Sequence, residues 1–132
     1  MDIYKAGGIL IKDRKVLVER SRGKITFMTP GGKVEPGETS TQALIRELME
    51  EFQIKVVESD IEKFGTFSAP ASGQEHRRII MDVFLLRRWE GEPRADNEVD
   101  EVRWINSQTV IEVGSIFEHE ILPRLKAQNL IN

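Results

Sequence analysis

Three glutamates of this chain, Glu47, Glu50 and Glu51, have the spacing that brings side chains together on one face of a helix. Residues three and four positions apart are neighbours on a helix surface, and like charges there repel each other. Such a cluster lowers stability unless a cation binds in it. Because carboxylate oxygens are hard ligands and the chain contains no cysteine, the spacing points to Mg²⁺ or Mn²⁺. Mg²⁺ held by a few carboxylates usually serves a phosphate-bearing substrate, so the residue types indicate phosphate chemistry.

A glycine-rich loop, GGKVEPGE, stands before the acidic helix and favours a functional site there. An isolated acidic segment such as ELMEE is more often a solvated helix face. Loop and helix together give the pattern Gly-x5-Glu-x7-Arg-Glu-aliphatic-x-Glu-Glu-x-Gln-aliphatic over residues 32–54. This array resembles the Nudix box of the MutT-like nucleoside diphosphate hydrolases. It departs from the family pattern at Gln53, where the family has glycine.

The resemblance implies roles for the acidic residues of the box. Glu50 and Glu51 would be the principal metal ligands, and Gly32 would offer its carbonyl oxygen to the same metal. Glu47 would be either a further ligand or the base that takes a proton from the attacking water. We expect the cofactor to be Mg²⁺, with Mn²⁺ as the alternative.

The arginine of the box, Arg46, is expected to act through its acidic neighbours. By the resemblance it orients Glu47 and pairs with carboxylates such as Glu38, which would fasten the loop to the helix. The alternative is a surface arginine that pairs with Gln42 or Glu50 one helical turn away.

A further acidic candidate, Glu98, lies outside the box. Nudix proteins often place a glutamate on the loop before a final strand that ends in a Trp-Ile or Trp-Val pair, and Trp104-Ile105 provides that pair here. Glu98 would then reach the metal from the opposite side, as an extra ligand or as the base. The alternative is a solvated loop residue, so the choice between Glu47 and Glu98 as base stays open.

Candidate substrate contacts rest on weaker patterns. Phe27 is placed to stack on a base, although aromatic residues with this spacing are more often core. Arg20 is a candidate for phosphate or ribose, and Lys33 for phosphate, against the alternative that both are exposed charges. No residue identifies the base of a nucleotide.

Gln53 is the one departure inside the box. A glycine after a helix usually adopts the left-handed conformation, which costs a residue with a β-carbon on the order of 1 kcal/mol. Gln53 therefore either accepts that strain or ends the helix differently. Because this position supplies no chemistry in the family, the departure concerns local geometry only.

Composition and length limit the classes of function. At 132 residues the chain is expected to form a single domain over residues 1–132. It carries 19 basic and 22 acidic residues and no basic stripe, so free nucleotides fit better than a nucleic acid polymer. No apolar run approaches the roughly 20 residues that cross a bilayer, and no leader pattern is present. We expect a cytoplasmic protein without membrane contact, as a monomer or homodimer.

The coarse pattern is a mixture of strands and two helices. Strands are predicted at residues 3–12, 15–20, 25–28, 32–34, 62–68, 78–89 and 101–105, with Asp13-Arg14 as a hairpin turn and segment 78–89 as a central strand. The clearest helix is 39–52, with Thr39 and Gln42 as its capping box and an apolar stripe of Ile45, Leu48, Met49 and Phe52. A closing helix is predicted at 115–128, kinked or restarted at Pro123.

These elements predict an α/β fold with two helical layers enclosing a curved mixed sheet. The resemblance implies the same architecture, a Nudix-type α/β/α sandwich. It also implies a Mg²⁺-dependent hydrolase that cleaves the pyrophosphate linkage of a nucleoside diphosphate derivative, with a nucleoside or deoxynucleoside triphosphate as the nearest version and a nucleoside monophosphate as product. The alternatives are an ADP-ribose or sugar-nucleotide pyrophosphatase and a non-catalytic nucleotide-binding module, although the box has kept every acid.

Overall fold

The computed structural model describes residues 2–71 and 73–132, without the side chain of residue 75, and its strands form two sheets. The strands are β1 (Asp2–Ile9), β2 (Ile11–Lys12), β3 (Lys15–Ser21), β4 (Phe27–Met28), β5 (Gly31–Lys33), β6 (Ile61–Ala71), β7 (Gln74–Leu86) and β8 (Val99–Ile105). The first sheet has the order β5-β1-β7-β6, and the second has the order β2-β3-β4 with β8 paired to β3. The predicted curved mixed sheet is thus divided between two sheets, of which the first contains the parallel pair.

The first sheet is mixed because β1 and β7 run parallel, whereas β5 and β6 are antiparallel to their neighbours. The apolar segment predicted as a central strand is β7, which lies between β1 and β6. Its partner β6 is longer than predicted. Ala6 and Ile9 of β1 belong to two different apolar clusters, so opposite faces of this sheet cover separate cores.

The turn between β2 and β3 is the predicted hairpin. Lys12 faces Lys15 in the antiparallel register, which leaves Asp13 and Arg14 as a two-residue loop. Both loop residues have positive φ, 51° and 59°, as a type I′ turn requires.

The helix of the acidic cluster, α1 (Ser40–Phe52), begins at the predicted capping box. The Thr39 hydroxyl accepts from the Gln42 backbone N–H, and the Gln42 side chain accepts from the Thr39 N–H. The predicted apolar stripe was wrong in one member, because Met49 is 48% exposed. The buried residues are Ala43, Leu44, Leu48 and Phe52. The helix is rotated in this way because Leu44 packs over Gly8 of β1, where a β-carbon would meet its methyl group at 3.3 Å.

The closing helix contains a π-helical turn just before Pro123, where a kink or restart was predicted. A π-helical segment, Phe117–Ile121, precedes the short helix α2 (Leu122–Ala127). The Leu122 N–H bonds to the Phe117 carbonyl five residues back, and Pro123 stands in the first turn of α2, where its missing N–H costs little. Phe117, Ile121 and Leu125 are buried in the second apolar cluster, whereas Leu44 and Leu48 of α1 belong to the first. The two helical layers therefore lie against different cores, and the predicted α/β/α architecture is confirmed.

In the part of the chain that the structure describes, none of the helices has the length and apolar character needed to cross a bilayer.

The residue after α1, Gln53, accepts the left-handed conformation with φ 58°. Its side-chain amide donates to the Asp96 carboxylate. We expect Gln53→Gly to be more stable than Gln53→Ala by about 1 kcal/mol, because both variants lose the amide contact and only glycine relieves the backbone strain. Urea unfolding of the two variants measures the difference. Equal stabilities would show that the left-handed conformation is not strained here.

Candidate active site

A cleft of about 310 Å³ lies between the two sheets and the acidic face of α1. Its charged wall residues come from four elements: β1, β3, α1 and the loop before β8. They are Lys5, Glu19, Glu47, Glu51 and Glu98. Gly31 and Gly32 of β5 also line the cleft. The topology thus gathers side chains that are up to 93 positions apart in sequence, from Lys5 to Glu98, around one space.

Arg46 holds the loop and the helix of the box together. Its Nε donates to Glu38 Oε2 at 2.7 Å and its Nη2 to Glu38 Oε1 at 3.0 Å, which is a bidentate pair. Nη1 donates to Glu47 Oε1 at 3.0 Å, and Nη2 also donates to the Lys33 carbonyl at 3.1 Å. These contacts are the ones expected of an arginine that orients Glu47 and fastens Glu38.

The Arg46 fork also sets the charge state of Glu38. The hydrogen bonds from Arg46, together with one from the Glu35 backbone N–H, lower the pKa of Glu38 to about 2. The same pairing raises the pKa of Arg46 above its ordinary value. Both groups are therefore charged at neutral pH, and the pairing does not depend on pH near neutrality.

Glu47 lies against the backbone of Gly32. A β-carbon on Gly32 would stand 2.5 Å from the carboxyl carbon of Glu47, so a larger residue at this position would displace that carboxylate. Burial raises the pKa of Glu47, and the hydrogen bond from Arg46 partly offsets that effect. The loop glycine and the arginine thus fix one carboxylate at the wall of the cleft.

The loop before β8 closes over the end of α1. The Glu98 backbone N–H donates to Glu51 Oε2 at 3.2 Å, and the Asn97 side-chain amide donates to the Glu50 carbonyl at 2.7 Å. Burial raises the pKa of Glu51, and the neighbouring carboxylate of Glu50 adds to the shift. Glu98 therefore lines the cleft together with Glu47 and Glu51, and its role there stays a prediction.

Glu50 is placed differently from the other acids of the box. Its side chain is 52% exposed, lies 3.5 Å from Arg46 Nη1, and is not among the residues that line the cleft. The resemblance implied that Glu50 is a principal metal ligand, and the structure brings only Glu47 and Glu51 of the helix into the cleft.

The donor set of the cleft fits a hard divalent cation. Its carboxylates are oxygen ligands, and the raised pKa values of Glu47 and Glu51 reflect negative charge in a desolvated space. Within residues 2–71 and 73–132, no three His, Cys, Asp or Glu side chains converge on a common point where a metal would bind. Of the predicted metal ligands, Glu47, Glu51 and Gly32 line the cleft together with Glu98, and their role as ligands stays a prediction.

Sequence reasoning missed Glu19 of β3. This side chain is only 8% exposed, and burial together with the charge of Glu51 raises its pKa to about 7. Lys5 on the neighbouring wall has its pKa lowered by burial and by the like charge of Lys33. The signal was present in the segment KVLVER, where Glu19 continues the apolar run of residues 16–18 within β3.

The three candidate substrate contacts lie outside the cleft lining. Arg20 Nη2 pairs with Asp100 at 3.0 Å and with Glu101 at 3.1 Å, and its guanidinium lies over the Phe27 ring. Phe27 is 6% exposed and belongs to the second core. Lys33 is exposed and contacts Arg46 through its carbonyl. Met28, Thr29 and Met81 line the cleft instead.

Glu19 makes the stability of the metal-free protein depend on pH. Its pKa is about 7 in the folded state against 4.5 for an ordinary glutamate, so the folded protein binds more protons between these values. The contribution of Glu19 to stability is therefore greatest below about pH 4.5 and is lost as pH rises through 7, by on the order of 3 kcal/mol for the full shift. We expect Glu19→Gln to flatten this part of the pH dependence.

Urea unfolding in the presence of EDTA, at about pH 5 and about pH 8, measures this difference. Glu19→Gln should also be the more stable protein at the higher pH. Parallel pH dependences of the two proteins would contradict the burial of an ionisable group at this position.

Comparison with known proteins identifies the family. Residues 3–125 match the NUDIX domain. An 8-oxo-dGTP diphosphatase of Escherichia coli (strain K12) is 42% identical over 64 residues, which are 48% of this chain and 46% of that protein. An ADP-ribose pyrophosphatase of Methanocaldococcus jannaschii is 32% identical over 117 residues, which are 86% of this chain and 66% of that protein.

The fold has relatives among solved structures. The MutT protein from Methanosarcina mazei Go1 superposes with a TM-score of 0.78 at 20% identity, covering 97% of this chain and 95% of that chain. At this identity the likeness concerns the fold. The aligned segments span less than two thirds of the length of either sequence relative. Since the NUDIX domain accounts for residues 3–125, this chain belongs to the Nudix family.

Proposed function

We propose that this protein is a metal-dependent hydrolase that cleaves the pyrophosphate linkage of a nucleoside diphosphate derivative, most simply a nucleoside or deoxynucleoside triphosphate, and releases a nucleoside monophosphate. The observation that carries the proposal is the fixed position of Glu47 between the Arg46 fork and the backbone of Gly32, beside Glu51 in one cleft. The names of the two sequence relatives, a diphosphatase and a pyrophosphatase, support this reaction class.

The chemistry of the linkage explains the residues of the cleft. Two anionic phosphoryl groups repel an incoming hydroxide, so the reaction needs charge neutralisation and a positioned proton acceptor. Mg²⁺, or Mn²⁺, supplies the charge neutralisation and acidifies bound water. Glu51 and the carbonyl of Gly32 would hold the cation, and the Lys5 ammonium suits a phosphate oxygen at the neighbouring wall.

Two carboxylates are available to take the proton from water. The Glu47 carboxylate accepts a hydrogen bond from Arg46 and lies against the backbone of Gly32. For Glu98, the contact with Glu51 is made by the backbone N–H, so it fixes the backbone and not the side chain. A base must be positioned before its pKa matters, so the geometry favours Glu47. Arg46 then acts by orienting Glu47, and Glu98 acts as a ligand from the loop before β8.

The second candidate function is cleavage of ADP-ribose. It is favoured by one observation, the alignment of 86% of this chain with the pyrophosphatase of that name. Both candidates use the same box and differ in the group beyond the second phosphate. A nucleotide-binding module without activity is disfavoured because Glu47 and Glu51 are both kept and both enter the cleft.

A substrate panel tests the proposed reaction. We expect Mg²⁺-dependent release of a nucleoside monophosphate from at least one of the dNTPs, NTPs, oxidised nucleotides, sugar nucleotides, ADP-ribose and dinucleoside polyphosphates. Glu51→Gln should lower kcat/KM by at least about 100-fold, because it removes an anionic ligand from the cleft. Glu92→Gln is the matched control, since the Glu92 side chain is 75% exposed and lies outside the cleft. No turnover of any compound, with nucleotide binding retained, would support the binding module instead.

The role of Arg46 is tested by Arg46→Lys. The lysine keeps the charge but has a single ammonium, which cannot contact Glu38, Glu47 and the Lys33 carbonyl together. We expect kcat to fall by at least about tenfold with little change in KM, because Glu47 loses its orientation. Arg87→Lys is the control, since Arg87 is 64% exposed and pairs only with Glu62 among the described residues. An unchanged kcat in Arg46→Lys would count against the orienting role.

A further inference from the structure

Glu19 is the buried acid of the cleft that the box does not contain. It projects from β3, it is 8% exposed, and among the described residues its side chain has no hydrogen bond or ion pair. Its carboxylate oxygens are not among the buried unpaired atoms of the described residues, so they open to the cleft rather than to the apolar core. This carboxylate is therefore expected to meet a ligand in the cleft.

We propose that Glu19 is an additional carboxylate ligand for the divalent cation of this cleft, contributed by β3. The inference rests on the metal dependence in the proposed function. It adds a strand residue to a metal site that the sequence pattern confines to the glycine loop, the box helix and the loop before β8. Glu19 would bind the cation directly or through one of its waters, as Mg²⁺ sites commonly allow.

The charges around Glu19 support a cation as its partner. The negative charges that act on it most strongly are those of Glu51 and then Glu47, which are the same acids that face the cation from α1. Across the cleft walls, four carboxylates face one ammonium, that of Lys5. Carboxylates that share a desolvated space repel each other, and an ion between them removes that repulsion.

The protein's own cations do not fill this role. Arg46 directs its guanidinium to Glu38, Glu47 and the Lys33 carbonyl, and it is not among the residues that line the cleft. Lys5 attracts Glu19 electrostatically but makes no ion pair with it within 4.0 Å. The space between Glu19 and the helix acids is therefore left for a ligand of positive charge.

Mn²⁺ binding without nucleotide tests the proposal apart from catalysis. The free Mn²⁺ signal in electron paramagnetic resonance gives affinity and stoichiometry for the wild type, Glu19→Gln, Glu51→Gln and the exposed control Glu92→Gln. We expect Glu19→Gln to weaken binding by at least about tenfold or to remove one site, since even residues that only orient a ligand change affinity by about 10 to 100-fold. Glu92→Gln should bind as the wild type does.

The outcomes separate this proposal from the proposed function. If the wild type binds no Mn²⁺, the role of Glu19 and the proposed metal-dependent function are both overturned. If Glu51→Gln loses binding while a folded Glu19→Gln binds as tightly and as many ions as the wild type, only the role of Glu19 is overturned. A change in base preference with unchanged Mn²⁺ binding would show that Glu19 contacts the substrate and would also overturn it. Should the glutamine variant fail to fold by circular dichroism, Glu19→Met, of similar length and without charge, replaces it.

Discussion

The pairing of Arg46 with Glu38 and Glu47 is the interaction on which the site depends. A planar guanidinium with donors in fixed directions joins three things here: the end of the glycine loop, the acidic face of α1 and the backbone of β5. Each partner is only partly buried, so the pair adds modest stability. Its larger effect is geometric, because it holds a carboxylate against Gly32 that repulsion from Glu50 and Glu51 would otherwise displace.

Placing ionised carboxylates in the cleft is unfavourable for folding, and burial of apolar residues in the two cores offsets this free energy. Burial raises the pKa values of Glu19, Glu47 and Glu51, which means that each ionised carboxylate is less favourable in the cleft than in water. The two apolar clusters on opposite faces of the first sheet supply the stabilisation that offsets it. Binding of a cation would make the ionised carboxylates favourable for the folded state rather than unfavourable. The protein should therefore be most stable in its metal-loaded form.

Local sequence patterns predicted the features whose causes are local. The capping box at Thr39, the two-residue turn at Asp13-Arg14 and the restart at Pro123 each depend on a few adjacent residues and on simple backbone chemistry. The contacts of Arg46 are those that the resemblance to the Nudix box implied. The prediction that Met49 is buried was wrong because Met49 and Leu44 both suit an apolar stripe. The packing of Leu44 over Gly8 decides which of the two is buried.

Features that depend on the packing of distant elements were not visible in the sequence. Phe27 and Arg20 stand close to the glycine loop in sequence, but the pairing of β3 with β4 and β8 directs Phe27 to the second core and Arg20 to Asp100 and Glu101. Glu19 enters the cleft from the opposite face of the same strand. Alternation along a strand predicts that neighbours diverge, but it does not say which face meets an active site.

The fold accommodates a glutamine at position 53 because the loop before β8 packs against the end of α1. Helix ends need partners for their last carbonyl groups, and a terminal glycine usually helps by letting the chain fold back on them. In this protein the loop before β8 supplies some of these partners, because the Asn97 amide donates to the Glu50 carbonyl and the Arg94 backbone N–H donates to the Phe52 carbonyl. The Gln53 side chain adds a contact with Asp96 in that loop. The glutamine therefore ties the helix to the segment that delivers Glu98, so that the residue which departs from the family pattern supports the far wall of the cleft.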